Sequence, residues 1–167
     1  FVDCVGLKTV PVFENLTYIP ASCFSGCTGL TELIIPDNIT YLGHYAFYGC
    51  CNITSVTMPI DLDVYASNEK INYAGDVQYH SSFTGCSNVK TIHYTLGQTG
   101  DMNQRKNNNT SYAYTYRYSL EYISCGALES VIFDDGITSI VNNAFLNAKH
   151  LVQANIPASV TSIGDSA

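Results

Sequence analysis

Apolar residues recur along the chain with one fixed spacing. An aromatic residue is followed three positions later by a small apolar residue, usually cysteine, and six positions later by an aliphatic one. The aromatic anchors are Phe1, Phe24, Phe47, Phe83, Tyr122 and Phe145. Successive anchors are 23 residues apart, except that the step after Phe47 is 36 residues and the step after Phe83 is 39. The spacing predicts six 23-residue units, with one insertion in the third unit and one in the fourth.

Each unit also contains a short strand-like phrase. The phrase Leu30-x-x-Leu33-x-Ile35-Pro36 is repeated as Ile53-x-x-Val56-x-Met58-Pro59 and Leu151-x-x-Ala154-x-Ile156-Pro157. Apolar residues two positions apart point to the same face of a strand, and one 23-residue unit cannot bury that face alone. Stacking the units about 4.8 Å apart pairs the strands and aligns the aromatic, cysteine and aliphatic positions inside. The pattern predicts a strand-rich α/β solenoid of six coils, with a parallel sheet on one face and a helical or 3-10 turn opposite.

The repeat phrase also carries a family resemblance. The segments Ile156-Pro157-Ala158-Ser159-Val160-Thr161-Ser162-Ile163-Gly164-Asp165-Ser166-Ala167 and Phe24-Ser25-Gly26-Cys27-Thr28-Gly29-Leu30-Thr31 together resemble the repeat of the BspA-like leucine-rich repeat family. The resemblance implies one leucine-rich-repeat solenoid over residues 1–167, in an extracellular or cell-surface protein. It further implies an adhesin-like module that binds a protein or glycan ligand of a host matrix or cell surface and has no catalytic residues.

Composition and charge narrow the possible functions. The chain has 7 basic and 14 acidic residues and a formal charge of −7, whereas nucleic-acid binders usually present a basic face. No apolar run reaches the roughly 18–20 residues of a membrane-spanning helix. We therefore expect neither nucleic-acid binding nor membrane insertion of this chain.

The two insertions, at about 66–78 and 96–119, are predicted to form the binding site. The second begins with a polar stretch, Gly97 to Asn109, that is typical of a flexible loop, and it ends in a period-2 run of tyrosines that is typical of a strand. Aromatic, loop-borne surface is common in recognition sites. The candidate partner-binding residues are Lys70, Tyr73, Tyr79, Arg105, Lys106, Tyr112, Tyr114, Tyr116, Arg117 and Tyr118.

Two further readings of these segments stay open. The tyrosines could instead pack against Ile71, Tyr73, Val77 and Tyr79 and merely cover the solenoid. The two insertions begin at nearly the same position within their coils, after Tyr65 and Thr95. Because equivalent positions of adjacent coils lie side by side, we expect the insertions to meet in space. A structural spacer that extends another domain is the alternative function, although a spacer has no reason to interrupt its own period twice.

The outward face of the strands is predicted to carry fewer side chains suited to binding than the insertions do. Its predicted outward positions are mostly small and uncharged, which favours a solvated sheet over a dedicated binding face: Thr9, Pro11, Glu32, Ile34, Ser55, Thr57, Thr91, His93, Ser130, Ile132, Gln153 and Asn155.

No catalytic, cofactor or metal site is predicted. The four histidines share no spacing suited to metal binding or to nucleophilic catalysis. Of the clustered cysteines Cys23, Cys27, Cys50 and Cys51, three fall on repeat positions, where packing explains them.

The ends of the chain carry a separate expectation. Solenoids need polar caps, whereas this chain opens on an anchor-type Phe1 and closes on Ala167, one residue before the next anchor position. We expect exposed apolar ends and possible end-to-end self-association.

Overall fold

The computed structural model describes residues 1–11, 14–64, 66–70, 77–102, 125–146 and 148–167, and for residues 66–70 and 77–80 it describes the course of the backbone. The strands in these ranges are β1 (Tyr18–Ile19), β2 (Glu32–Ile34), β3 (Tyr41–Leu42), β4 (Ser55–Pro59), β5 (Asp63–Val64), β6 (Ala66–Lys70), β7 (Val77–Ser81), β8 (Thr91–Thr95), β9 (Ser130–Phe133), β10 (Ser139–Ile140), β11 (Gln153–Asn155) and β12 (Ser162–Ile163). A 3-10 turn forms at Cys125–Ala127, and the described ranges contain no α-helix. The fold is thus strand-rich, and hydrogen-bonded turns rather than α-helices close the described coils.

The main sheet has five parallel strands in the order β11-β9-β8-β4-β2. Its register aligns one residue from each of the second to sixth coils, in the series Glu32, Ser55, Thr91, Ser130 and Gln153. The sequence offsets along that series are 23, 36, 39 and 23 residues, which are the steps between the aromatic anchors. The sheet therefore continues through both long steps without a slip in register.

Burial alternates along these strands as the sequence predicts. In β2, Leu33 is buried between the exposed Glu32 and Ile34, and in β8, Ile92 is buried between the half-buried Thr91 and His93. Neighbouring residues of a strand point to opposite faces, so one face of the sheet packs on the core and the other faces outward.

A second, shorter set of parallel strands lies further along each coil. Strands β1, β3 and β5 form one three-stranded sheet, and β10 pairs with β12. Asp101 forms an isolated parallel bridge with Ser139 of β10 and so adds the fourth coil to that pair. The second to sixth coils are therefore each tied to a neighbour at two places, and the first coil pairs through β1.

The core contains the predicted aromatic column. Phe24, Phe47 and Phe83 are fully buried, and their ring centroids stack at 5.4 and 5.7 Å with nearly parallel planes. Phe1 stacks on Phe24 at 5.2 Å and remains 55% exposed, because no described ring covers its other face. Tyr122, which we expected in this column, lies outside the described residues.

Phe145 is less buried than the sequence predicts, and its expected neighbour in the column, Tyr122, lies outside the described residues. Phe145 is half-buried, and its ring meets Phe133 edge-on at 5.9 Å. Phe133 stacks on the buried Tyr94 at 5.3 Å, and these two residues take the positions held by Ile35 and Met58 in earlier coils. The large rings at these positions form a second aromatic column beside the first, and Phe145 packs against its end.

The cysteines form a column of buried hydrogen-bond donors. The thiols of Cys27, Cys50 and Cys86 donate to the carbonyl oxygens of Phe1, Phe24 and Phe47 over 3.0 to 3.2 Å. Burial raises the pKa of the Cys50 thiol to about 12 and also raises the pKa of Cys27 and Cys86 above the usual thiol range. These thiols stay protonated at neutral pH, so they pack and bind backbone rather than act as nucleophiles.

The third coil carries a β-hairpin where the sequence predicts an insertion. Strands β6 and β7 pair antiparallel from Ala66 opposite Ser81 to Lys70 opposite Val77. The hairpin thus extends three residues beyond the predicted end at residue 78, because β7 continues until the chain re-enters the coil.

The predicted start of the insertion in the fourth coil is wrong. Residues 96–102 follow the regular coil: the Thr138 amide donates to the Gly100 carbonyl over 2.9 Å, Asp101 bridges Ser139, and Met102 is buried. The polar residues after Gly97 look like a flexible loop in sequence, yet they are hydrogen-bonded to the neighbouring coils. The coil therefore continues to Met102, past the predicted start of the insertion near residue 96.

Candidate functional site

The structure describes the backbone of two of the ten predicted binding residues. Lys70 lies opposite Val77 at the far end of the hairpin, and Tyr79 lies opposite Asn68. The others lie outside the described residues, so the meeting of the two insertions stays a prediction: Tyr73, Arg105, Lys106, Tyr112, Tyr114, Tyr116, Arg117 and Tyr118.

The root of the hairpin is fixed to the second coil. Ser82, just after β7, donates its hydroxyl to the carbonyl oxygens of Leu42 and Gly43 over 3.1 and 2.8 Å. Its own carbonyl accepts the Phe47 amide at 2.8 Å, and on the other side of the hairpin Val64 pairs with Leu42. Residues at both ends of the hairpin are therefore paired with or hydrogen-bonded to residues within 42–47.

Four tyrosines of the first three coils lie next to the residues that hold this root, either in sequence or in strand register, and we call them the aromatic patch: Tyr18, Tyr41, Tyr45 and Tyr48. Tyr18 is 52% exposed and pairs in register with Tyr41 on the neighbouring strand. Tyr48 is 47% exposed and meets Tyr45 edge-on at 4.9 Å, and Tyr45 stacks on His44 at 3.7 Å. The repeat pattern does not single out this patch, although the sequence from Tyr41 to Tyr48 is rich in aromatic residues.

Tyr45 occupies a backbone position that disfavours large side chains. Its φ is +57°, and the equivalent residues of two other coils, Ser22 and Asn143, both have a φ of +56°. The left-handed conformation costs an L-residue about 1–2 kcal/mol and is best tolerated by glycine and by short polar residues such as asparagine. The second coil therefore places an aromatic ring where the fold alone favours a small polar side chain.

The outward sheet face carries two side-chain pairs that the repeat pattern does not indicate. His93 Nε2 lies 2.7 Å from Asp134 Oδ1, and Lys90 Nζ lies 2.9 Å from Glu129 Oε1. The partners are 41 and 39 residues apart in sequence, and the register of β8 with β9 brings them together. These pairs join neighbouring coils across the second insertion, and surface pairs of this kind contribute little to stability.

A polar cluster joins three coils beyond the ends of the main strands. The Thr95 hydroxyl donates to Asp37 Oδ1 over 2.5 Å, and the Gln98 side chain donates to the Asp37 carbonyl over 2.8 Å. Asp61 Oδ2 accepts hydrogen bonds from the backbone amide of Gln98 over 3.0 Å and from the Thr99 hydroxyl over 2.9 Å. Both carboxylates serve to hold the segment after β8 against the preceding coils, which gives them a structural role.

The described part of the chain contains no candidate metal site and no candidate membrane-spanning helix. Its histidine, cysteine and acidic side chains form no group of three or more that could hold a metal ion. None of its helical segments is long and apolar enough to cross a membrane.

Comparison with protein-family models gives a match over the whole chain. The family described as "BspA type Leucine rich repeat region (6 copies)" matches residues 1–99 and 70–167. None of the curated proteins matches the chain.

Three solved structures are similar to this chain. A leucine-rich repeat protein from Eubacterium ventriosum is 21% identical, with a TM-score of 0.51 over 95% of this chain and 35% of its own. One from Bacteroides ovatus is 20% identical, with a TM-score of 0.40 over 98% of this chain and 46% of its own. A T. pallidum leucine-rich repeat protein is 18% identical, with a TM-score of 0.40 over 91% of this chain and 69% of its own. The chain spans about a third of the Eubacterium ventriosum protein, and that likeness shows the leucine-rich repeat fold.

Proposed function

Because the chain belongs to the BspA-type leucine-rich repeat family, we propose that it is a non-enzymatic, adhesin-like binding module that works outside the cell or on its surface. Leucine-rich repeat families are typically binding modules, and members of this family are typically surface or secreted proteins. The proposed ligand is a protein or glycan of a host matrix or cell surface. It is held by the two insertions of a six-coil solenoid, through the tyrosines and basic residues named above.

One observation carries this proposal: the solenoid continues past the hairpin as if the hairpin were absent. Phe47 stacks on Phe83 at 5.7 Å, and β4 pairs with β8 at five consecutive positions. A spacer needs only these ladders, and the hairpin adds nothing to them. A segment that lies outside these ladders and is carried by a rigid scaffold is typical of recognition sites.

Deletion of residues 66–78 tests the proposal. The deletion restores the 23-residue step between Phe47 and Phe83, so we expect a folded protein that binds at least tenfold more weakly. The probes are immobilised laminin, immobilised type I collagen and a glycan array, each measured first with the parent chain.

A matched control examines the sheet face. Ile34 is 58% exposed on β2, away from the hairpin, so the variant Ile34→Ala should bind like the parent. A folded deletion variant that binds as well as the parent, or a larger loss in Ile34→Ala, would place the site elsewhere. A parent chain that binds none of the probes would contradict the matrix and glycan partners.

We also propose that the solenoid self-associates end to end, with a second copy as the partner. Phe1 and Val5 at one end are 55% and 62% exposed, and Val152 and Ile163 at the other are 85% and 56% exposed. Apolar end coils bury surface when they stack on another coil. Light scattering should show mass increasing with concentration, and Val152→Asp should suppress the increase; a strict monomer at high concentration would contradict self-association.

A further inference from the structure

We infer that the aromatic patch is itself a docking surface, and that its partner is a protein segment that presents arginine side chains. The inference rests on the proposed binding function and names the chemistry of the partner. It concerns Tyr18, Tyr41, Tyr45 and Tyr48, none of which belongs to the hairpin.

Charge is the first observation that favours a cationic partner. Between Lys8 and Lys70 the chain has no lysine or arginine, and it has six carboxylates: Glu14, Glu32, Asp37, Asp61, Asp63 and Glu69. Residues 9–69, which include the four tyrosines, therefore have carboxylates and no lysine or arginine, and Lys70 lies at the far end of the hairpin from its root. A negative field of this kind attracts a positively charged partner.

Ring chemistry selects arginine among the cations. The exposed faces of tyrosine rings are electron-rich and attract a cation placed over them. The guanidinium group is planar and weakly hydrated, so it stacks on aromatic rings better than the strongly hydrated ammonium of lysine. Tyr18 and Tyr48 each keep about half of their surface exposed, which leaves ring area for such contacts.

Backbone strain is the independent observation. Tyr45 has a φ of +57° at a position where other coils place Ser22 and Asn143. Residues held in sparsely populated backbone conformations cluster at functional sites. The ring of Tyr45 contacts Tyr48 and so belongs to the same surface.

The test compares two peptides of equal charge, fluorescein-labelled nona-arginine and nona-lysine, by fluorescence anisotropy at about 0.15 M salt. The parent should bind nona-arginine about fivefold more tightly than nona-lysine. Tyr48→Ala and Tyr45→Asn should each weaken nona-arginine binding about two- to fivefold, the effect of one exposed cation–π contact, and leave nona-lysine binding nearly unchanged. Tyr45→Asn should also keep or raise the melting temperature, because asparagine suits its backbone conformation.

Leu146 provides the matched control, since it follows Phe145 as Tyr48 follows Phe47 and is likewise exposed. Leu146→Ala should leave both affinities unchanged. Equal binding of the two peptides by the parent would overturn the inference, as would a Tyr45→Asn variant that melts earlier and binds nona-arginine like the parent. A preference for nona-arginine that survives deletion of residues 66–78 supports the patch even if the matrix probes show no dependence on the hairpin.

Discussion

Replacement of Phe47 by alanine is expected to lower the free energy of unfolding by about 3–5 kcal/mol, the cost of deleting a buried aromatic ring. Phe47 is fully buried, and its ring lies between Phe24 at 5.4 Å and Phe83 at 5.7 Å. The variant loses both stacks and leaves a cavity that the paired strands on either side cannot close. Urea denaturation of parent and variant measures the difference.

Phe1 provides the control for Phe47, because it ends the same column with 55% of its surface exposed. Phe1→Ala should cost clearly less than Phe47→Ala, because a half-exposed ring leaves no closed cavity. A loss below about 1 kcal/mol for Phe47→Ala, the size of an average substitution, would contradict the aromatic column.

Replacement of Gly43 by alanine is expected to cost about 2–3 kcal/mol, as overpacking between two coils does. A Cβ at Gly43 would lie 2.5 Å from the Ala21 backbone nitrogen and 2.9 Å from the Pro20 carbonyl carbon. These are backbone atoms of the neighbouring coil, so no side-chain rotation can relieve the contact. The Gly43 amide also donates to the Ile19 carbonyl over 2.9 Å, and separating the coils would weaken that bond.

Gly6 is the control for Gly43, since nothing lies within 4 Å of the place a Cβ would take. Gly6→Ala should change the free energy of unfolding by less than about 0.5 kcal/mol, as at an ordinary surface position. The melting temperatures of the two variants provide the comparison. A Gly43→Ala variant as stable as Gly6→Ala would mean that the first two coils lie further apart than the structure places them.

The repeat made the ladders predictable from sequence. The described strands of each coil pair only with strands of adjacent coils, so a spacing of 23 residues fixes which residues pair, as Glu32 with Ser55 and Ser130 with Gln153 show. The alternation within each strand then decides which side chains are buried, as for Leu33.

Contacts between residues far apart in sequence were harder to foresee. The segment after β8 consists of polar and glycine residues, which a flexible loop also contains, and only the placement of Asp37 and Asp61 beside it shows why it is ordered. The same holds for Phe145, whose partner Phe133 is itself positioned by Tyr94 of another coil.

The candidate site was predictable only in its place along the chain. Spacing located the insertion in the third coil, but an insertion has no repeat to fix its own contacts. The aromatic patch lies within regular coils, where tyrosines look like ordinary surface residues. Only the register of Tyr18 with Tyr41 and the position of the Ser82 contacts bring the patch to the hairpin root.

The central claim is that the hairpin is an addition for binding on a solenoid that does not need it. The most direct measurement is urea denaturation of the variant lacking residues 66–78, made on the sample used for the binding assays. We expect the variant to unfold in one cooperative transition, with a free energy of unfolding within about 1 kcal/mol of that of the parent. We also expect it to lose binding to the probes. Unfolding of the variant, or a folded variant that binds like the parent, would contradict the central claim.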